Sequence, residues 1–193
     1  MINYIIGTIT ELSPTYVVVE TAGIGYFINI SINTYSKLED KTSYRILIHE
    51  VIREDAHQLF GFADEEERNI FRHLISVSGI GANTARMILS SLTPADITEA
   101  INEANVNLLK GIKGIGIKTA QRIIIDLKDK IGKQTSAAEI FISEDNTKRE
   151  EALSALVMLG FSRNAIMKVL DRIISEDKNL TVEELIKRAL KNL

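Results

Sequence analysis

The stretch Gly79-Ile80-Gly81-Ala82-Asn83-Thr84-Ala85 returns 35 residues later as Gly114-Ile115-Gly116-Ile117-Lys118-Thr119-Ala120, and this repeat decides how the middle of the chain is read. An apolar run follows each copy, Met87-Ile88-Leu89 in the first and Ile123-Ile124-Ile125 in the second. A short helical pattern precedes each, ending near Ile75 and near Lys110. The unit is therefore helix, tight Gly-Ile-Gly turn, helix, given twice. Glycine reaches positive φ and lets the main chain approach whatever lies beyond the turn. The second glycine of each copy stands just before a helix, whose first N–H groups lack intrahelical partners and sit at the positive end of the dipole. Such an end is an anion site, and phosphate is its usual occupant. Ile80 and Ile115 are expected to plug each turn into its own core. Lys118 and Arg122, four apart, share one helix face and add charge to the same phosphate track.

Other glycine motifs fit less well. A dinucleotide fingerprint needs a strand before the glycines, and Asn105–Lys110 reads as a helix. Gly111 and Gly116 have the separation of a P-loop, but Ile117 stands where that loop needs lysine. The plain alternative is that the glycines only end helices. Two copies in one helical frame, the second with a basic face, weigh toward the anion site.

Outward from the repeat the grammar changes. Up to Phe62 the chain reads as strands near Ile2–Thr10, Tyr16–Thr21, Gly25–Ile30, Tyr44–Ile52 and His57–Phe62, with one helical pattern at Thr34–Leu38. Five short strands in so few residues predict a small closed barrel of the OB type, because closure removes exposed edges. Asp64-Glu65-Glu66-Glu67 then places acid at a helix N-terminus, ahead of Ile70, Phe71, Leu74 and Ile75. Residues 134–147 read as a flexible polar linker interrupted by Ile140-Phe141-Ile142. Residues 148–193 spell three short helices. The expected class is α+β: a barrel over 1–63, tandem helix-hairpin-helix units over 64–133, the linker, and a three-helix bundle over 148–193.

Composition excludes several chemistries. The 193 residues contain no cysteine, which removes disulfides, thiolate metal sites and thiol nucleophiles and suits a reducing, cytoplasmic location. No apolar run has membrane-spanning length, and Met-Ile-Asn-Tyr-Ile-Ile-Gly is not a signal peptide. His49, His57 and His73 offer no ligand spacing, so no metal is expected. No nucleophile, base and orienting group occur together, so no catalytic residues are assigned. The net charge of −3 hides a regional pattern. Between Lys110 and Lys133 seven basic residues stand against Asp126 and Asp129, one basic face inside an acidic average.

Three segments together carry a family resemblance: Val51-Ile52-Arg53-Glu54-Asp55-Ala56 followed by Leu59-Phe60-Gly61-Phe62, then Gly114-Ile115-Gly116-Ile117-Lys118-Thr119-Ala120-Gln121-Arg122, then Glu151-Ala152-Leu153-Ser154-Ala155-Leu156-Val157-Met158-Leu159-Gly160-Phe161. With the barrel, paired hairpins and terminal bundle, the chain resembles the RuvA family of Holliday-junction-binding subunits over all but the linker. The resemblance implies a homotetramer, as one ring or as two face-to-face rings, whose concave face holds an open four-way junction during recombination and repair. It makes Gly79, Gly81, Gly114, Gly116, Lys118 and Arg122 contacts to DNA phosphates. It assigns the C-terminal bundle, similar to ubiquitin-associated-type domains, to docking the hexameric ATPase RuvB, with Leu156, Leu159 and Phe161 as exposed apolar contacts. The RuvC resolvase joins the larger complex. No cofactor belongs to this chain, since the motor uses the ATP. Two departures stand out: Ala82-Asn83 replaces a frequent Pro-Lys pair, and Lys113 and Ile117 replace proline and lysine.

Glu54 and Asp55 lie between two strand runs and read, by themselves, as a solvated acidic turn. The resemblance makes them the acidic pin, copies of which meet at the junction centre and repel its phosphates. Two other readings stay in view. A helix-hairpin-helix nuclease or glycosylase would need a carboxylate cluster or a lysine–aspartate pair, and none is evident. A single-strand-binding barrel would need a basic, aromatic-lined groove that residues 1–63 lack.

Overall fold

β-branched runs separated by turn residues form five strands in the computed structural model: β1 (Tyr4–Ser13), β2 (Tyr16–Thr21), β3 (Ile24–Asn29), β4 (Ser43–Ile52) and β5 (His57–Phe62). The structure describes residues 1–138, 144–177 and 180–193. The strand order is β1-β2-β3-β5-β4, closed by β1 pairing antiparallel with β4, while β3 and β5 run parallel. A register shift between Ile9 and Glu11 bends β1, so that one strand serves two neighbours. Alternate residues Val17, Val19, Ile28, Ile46 and Ile48 fill the interior. Gly61 is demanded by closure, because a Cβ there would fall 2.5 Å from Ile28 Cγ2 and 2.6 Å from Ile46 Cδ1.

Helix α1 (Ile32–Leu38) joins β3 to β4, is capped by Ser31, and buries Leu38 in the barrel. The first strand begins two residues later than its sequence suggests and extends to Ser13. Ile2 is drawn off instead, its N–H donating to the Glu50 carboxylate at 2.8 Å.

Helix α2 (Glu65–Ile75) starts at Asp64, whose carboxylate accepts from the Glu67 N–H at 2.9 Å. Its Phe71 ring lies 5.3 Å from Phe60 and 4.8 Å from Phe62. Leu47, Phe60 and Phe62 of the barrel therefore share one core with the helices that follow. The change of grammar after residue 63 is a change of secondary structure and not a gap in packing. Two buried charges sew the join. Arg68 donates to the carbonyl and Oδ1 of Asn3 at 2.9 and 2.6 Å and to the Ile48 carbonyl at 3.3 Å. Glu67 accepts from Thr34 Oγ1 at 2.7 Å and from Ser31 Oγ, and burial pushes its carboxyl above the usual range.

Helices α3 (Ala82–Ser91), α4 (Pro94–Asn102), α5 (Val106–Lys110) and α6 (Ile117–Ala138) complete this part. Met1–Thr135 forms one compact unit and Ser136–Leu193 another. In the second, α7 (Glu144–Met158), α8 (Arg163–Glu176) and α9 (Val182–Leu190) close over Leu153, Leu156, Ile166, Leu170 and Leu185. Where a linker was expected over 134–147, α6 runs on to Ala138 and α7 opens at Glu144. Polar composition without proline does not stop a helix already nucleated, and Gly132 costs it only about 1 kcal/mol. Ile140-Phe141-Ile142 and the rest of 139–143 lie outside the described residues. Among the described residues no helix is long and apolar enough to cross a membrane.

Candidate nucleic-acid interface

The two glycine turns are built by the same bonds. In the first, the N–H groups of Val77 and Ile80 donate to Leu74 and Val77, and Ala85 closes the first turn of α3 on the Gly81 carbonyl at 2.9 Å. In the second, 35 residues on, Ile112 and Ile115 donate to Leu109 and Ile112, and Ala120 closes α6 on Gly116, also at 2.9 Å. Ile80 and Ile115 are both buried in the shared core, as their spacing predicts.

The four glycines divide by role. Gly79 and Gly114 have φ of +93° and +88°, so each turn requires its first glycine for backbone reasons. Gly81 has φ −89° and ψ 169°, an extended conformation open to any residue. A Cβ on Gly81 or Gly116 would meet nothing within 4 Å. The fold of this chain gives no reason for those two positions to lack a side chain. What their lack of one provides is bare backbone at a helix start. Helices α1, α2, α4 and α5 are each capped by a side chain, from Ser31, Asp64, Thr93 and Asn105, whereas α3 has no side-chain cap. The first N–H groups of α3 are thus left for an outside acceptor.

Lys118 is exposed in the first turn of α6. Arg122 is also exposed but engaged: its Nη1 donates to the Ser78 carbonyl of the first turn at 3.1 Å. Sequence spacing placed both on one face and gave no sign of this cross-repeat bond.

Glu54 and Asp55 occupy the exposed tip of the β4–β5 hairpin, which the Arg53 N–H closes on the Ala56 carbonyl at 2.8 Å. Below the tip, Glu50 accepts from His57 Nε2 at 3.2 Å. The Ile2 N–H, reinforced by His57, holds the Glu50 carboxyl below its usual range. Hairpin register brings these residues together on the diagonal, since Ile52 pairs with His57. A groove of about 370 Å³ separates this arm from the first glycine turn, with Ile52 and Arg53 on one wall and Gly81 and Ala82 on the other. Arg53, which charge counting passed over, stands beside the turn whose Asn83 supplies no cation.

The histidines do not converge. His49 packs edge-on against Phe71 at 5.3 Å, and burial, then Arg72, lowers its pKa. Among the described residues no three His, Asp or Glu side chains form a metal-holding group.

In the second unit Leu156 was expected to be an exposed docking residue, and the structure corrects this: it is 0% exposed, in the core. Gly160, with φ +96°, ends α7. The Phe161 N–H returns to the Leu156 carbonyl at 3.3 Å and the Gly160 N–H to Val157 at 3.0 Å. This Schellman closure ends the helix and brings Phe161 against the core in which Leu156 is buried. Val157, Met158 and Leu159 are left outside, at 43%, 86% and 61% exposure.

Comparison with known proteins agrees along the whole chain. Residues 1–61 match the model of the RuvA N terminal domain, 71–129 a SAM-like helix-hairpin-helix tandem, and 147–193 the RuvA C-terminal domain. The Holliday junction branch migration complex subunit RuvA of Christiangramia forsetii is 52% identical over 193 residues, covering all of both chains. The proteins of the same description from Bacteroides thetaiotaomicron and Flavobacterium psychrophilum are 51% and 49% identical, again over the full length of both chains. With three family models matched in order along the chain and a relative 52% identical over the full length of both, the chain belongs to the RuvA family.

Proposed function

We propose that this chain is the junction-binding subunit of a branch-migration complex, gripping four-way DNA by backbone phosphates and presenting that DNA to an ATP-driven motor. The observation that carries the reading is the pair of glycine turns, identical in hydrogen bonding, each with an open second glycine at a helix start, the first of them uncapped and beside the acidic arm. Gly79, Gly81, Gly114 and Gly116 shape the two phosphate sites. Lys118 adds cationic charge at the second, Arg53 adds it at the first, and Arg122 reaches from the helix of the second turn to the Ser78 carbonyl of the first. The chain acts as a homotetramer in the cytoplasm and brings no catalysis of its own. The motor is a RuvB-type hexameric ATPase, docked on the second unit at Val157, Met158 and Leu159, with a RuvC-type resolvase joining later.

The deciding experiment is a titration of four-way junction against linear duplex of equal length, repeated across salt concentrations. Lys118→Ala is expected to weaken junction binding and to lower the slope of log K against log salt by about 0.9, the share of one phosphate contact. An unchanged slope in a folded variant would remove Lys118 from the interface.

The acidic tip supplies selectivity by repulsion. A carboxylate 4 Å from a phosphate is repelled by about 1 kcal/mol in water, and by more where water is thinned. Continuous duplex crossing the centre meets that repulsion more fully than an open junction. Glu54→Gln with Asp55→Asn keeps the shape of the turn and alters stability by no more than about 0.5 kcal/mol. Duplex affinity is expected to rise more than junction affinity, reducing selectivity by about three- to tenfold. Equal selectivity in the two proteins would return the pair to an ordinary polar turn.

A further inference from the structure

The repeat holds one pair of equivalent positions that phosphate binding leaves unexplained. Met87 and Arg122 stand 35 residues apart, each eight residues past the first glycine of its own turn. Each reaches across to the other copy. Arg122 Nη1 donates to the carbonyl of Ser78, the residue before Gly79. Reciprocally, Met87 Cε lies 3.7 Å from where a Cβ on Gly114 would stand. Lys130, two helical turns beyond Arg122, reinforces the first contact by donating to Ser76 Oγ at 3.2 Å. That hydroxyl passes a hydrogen bond to the His73 carbonyl at 2.7 Å. Beneath these surface contacts Ile80, Ile115, Ile123 and Leu127 belong to one core.

We propose that Met87 and Arg122 are positioning residues that lock the two glycine turns at a fixed separation. The lock rests on the reading of the turns as phosphate grips, and it explains why the helix after each turn reaches toward the turn of the other copy. Two anion sites held at one spacing meet two phosphates without first being ordered, and preorganisation of that kind raises affinity by removing an entropic cost. The chemistry differs between the two arms because the targets differ. A carbonyl with a free lone pair suits a guanidinium N–H, and the space left by the missing glycine side chain suits a flexible thioether.

The chain has no cysteine, so Asn83→Cys and Lys113→Cys, both at exposed positions and one on each repeat, take nitroxide labels uniquely. Labelled chain is diluted into excess unlabelled chain, and pulsed EPR gives the distance distribution without DNA. A narrow distribution is expected in the parent, broadened by Arg122→Ala and by Met87→Ala, and most by both together. Arg122→Lys, which keeps a cationic donor, is expected to recover part of the narrowing. Junction affinity of Arg122→Ala should fall about three- to tenfold, with a smaller change in salt slope than the roughly 0.9 of a full phosphate contact. Unchanged distributions in both single variants would overturn the lock. With a slope lowered by about 0.9 they would make Arg122 a plain phosphate contact instead. Because the distances are read without DNA, failure of the lock is distinguishable from failure of junction binding.

Discussion

Replacing Gly81 and Gly116 together by Asp is expected to weaken junction binding by about two to four orders of magnitude while leaving the fold as stable as before or more so. Both positions have open space where a Cβ would stand, and Gly81 has a backbone conformation that any residue adopts. An aspartate there is a good N-cap. Its carboxylate accepts from the second or third N–H of the helix and complements the dipole, a gain of a few tenths to about 1 kcal/mol. The same carboxylate occupies the anion site and brings negative charge to the place where a phosphate would lie. Hydrogen bonds to a charged group contribute roughly 1.5–3 kcal/mol each, so losing both sites removes roughly 3–6 kcal/mol of binding. Urea denaturation and a junction titration on the same preparation check the two halves. If the glycines merely end helices, stability shifts and binding does not.

Ending the chain at Thr135 should abolish motor-driven branch migration and leave junction affinity within about twofold, since each unit has a core of its own and the glycine turns lie wholly in the first. The cores of the barrel and of the hairpin tandem both lie within residues 1–127 and survive the cut. The second unit has its own core, and its contiguous exposed apolar run is Val157, Met158 and Leu159. Solvent-facing residues of that kind on a small bundle contribute little to folding and suit a partner surface. Migration is measured with a cognate RuvB-type ATPase on a synthetic junction, beside a gel-shift titration. Full-rate migration by the shortened protein would remove the docking role from the second unit.

The parts of this protein that the sequence alone determined are those governed by near neighbours along the chain. Alternation with period two and Ser13-Pro14 turn chemistry gave the strands, and four of five began within a residue of where they were expected. The Gly-Ile-Gly repeat gave both hairpins, because positive φ at Gly79 and Gly114 and inward Ile80 and Ile115 are demands of the turn itself. The exposed Glu54-Asp55 tip followed from two strand runs meeting. Tertiary structure decided the rest, wherever a side chain's fate depends on a distant segment. Glu65, Glu66 and Glu67 look equivalent in the text, yet only Glu67 is buried, because Ser31 and Thr34 from another helix stand ready to donate to it. Leu156 and Leu159 are three residues apart in one apolar run. Leu156 lies on the face of α7 that meets α8 and α9 in the core, whereas Leu159 falls past the last helical residue, just before the left-handed Gly160, and stays in solvent. Arg122 reads as one more cation until α6 packs beside the first turn and the Ser78 carbonyl comes within 3.1 Å. Local energetics fix period, turn and cap, but which face is buried, and which charge finds a partner, is settled only when segments far apart in sequence share a surface.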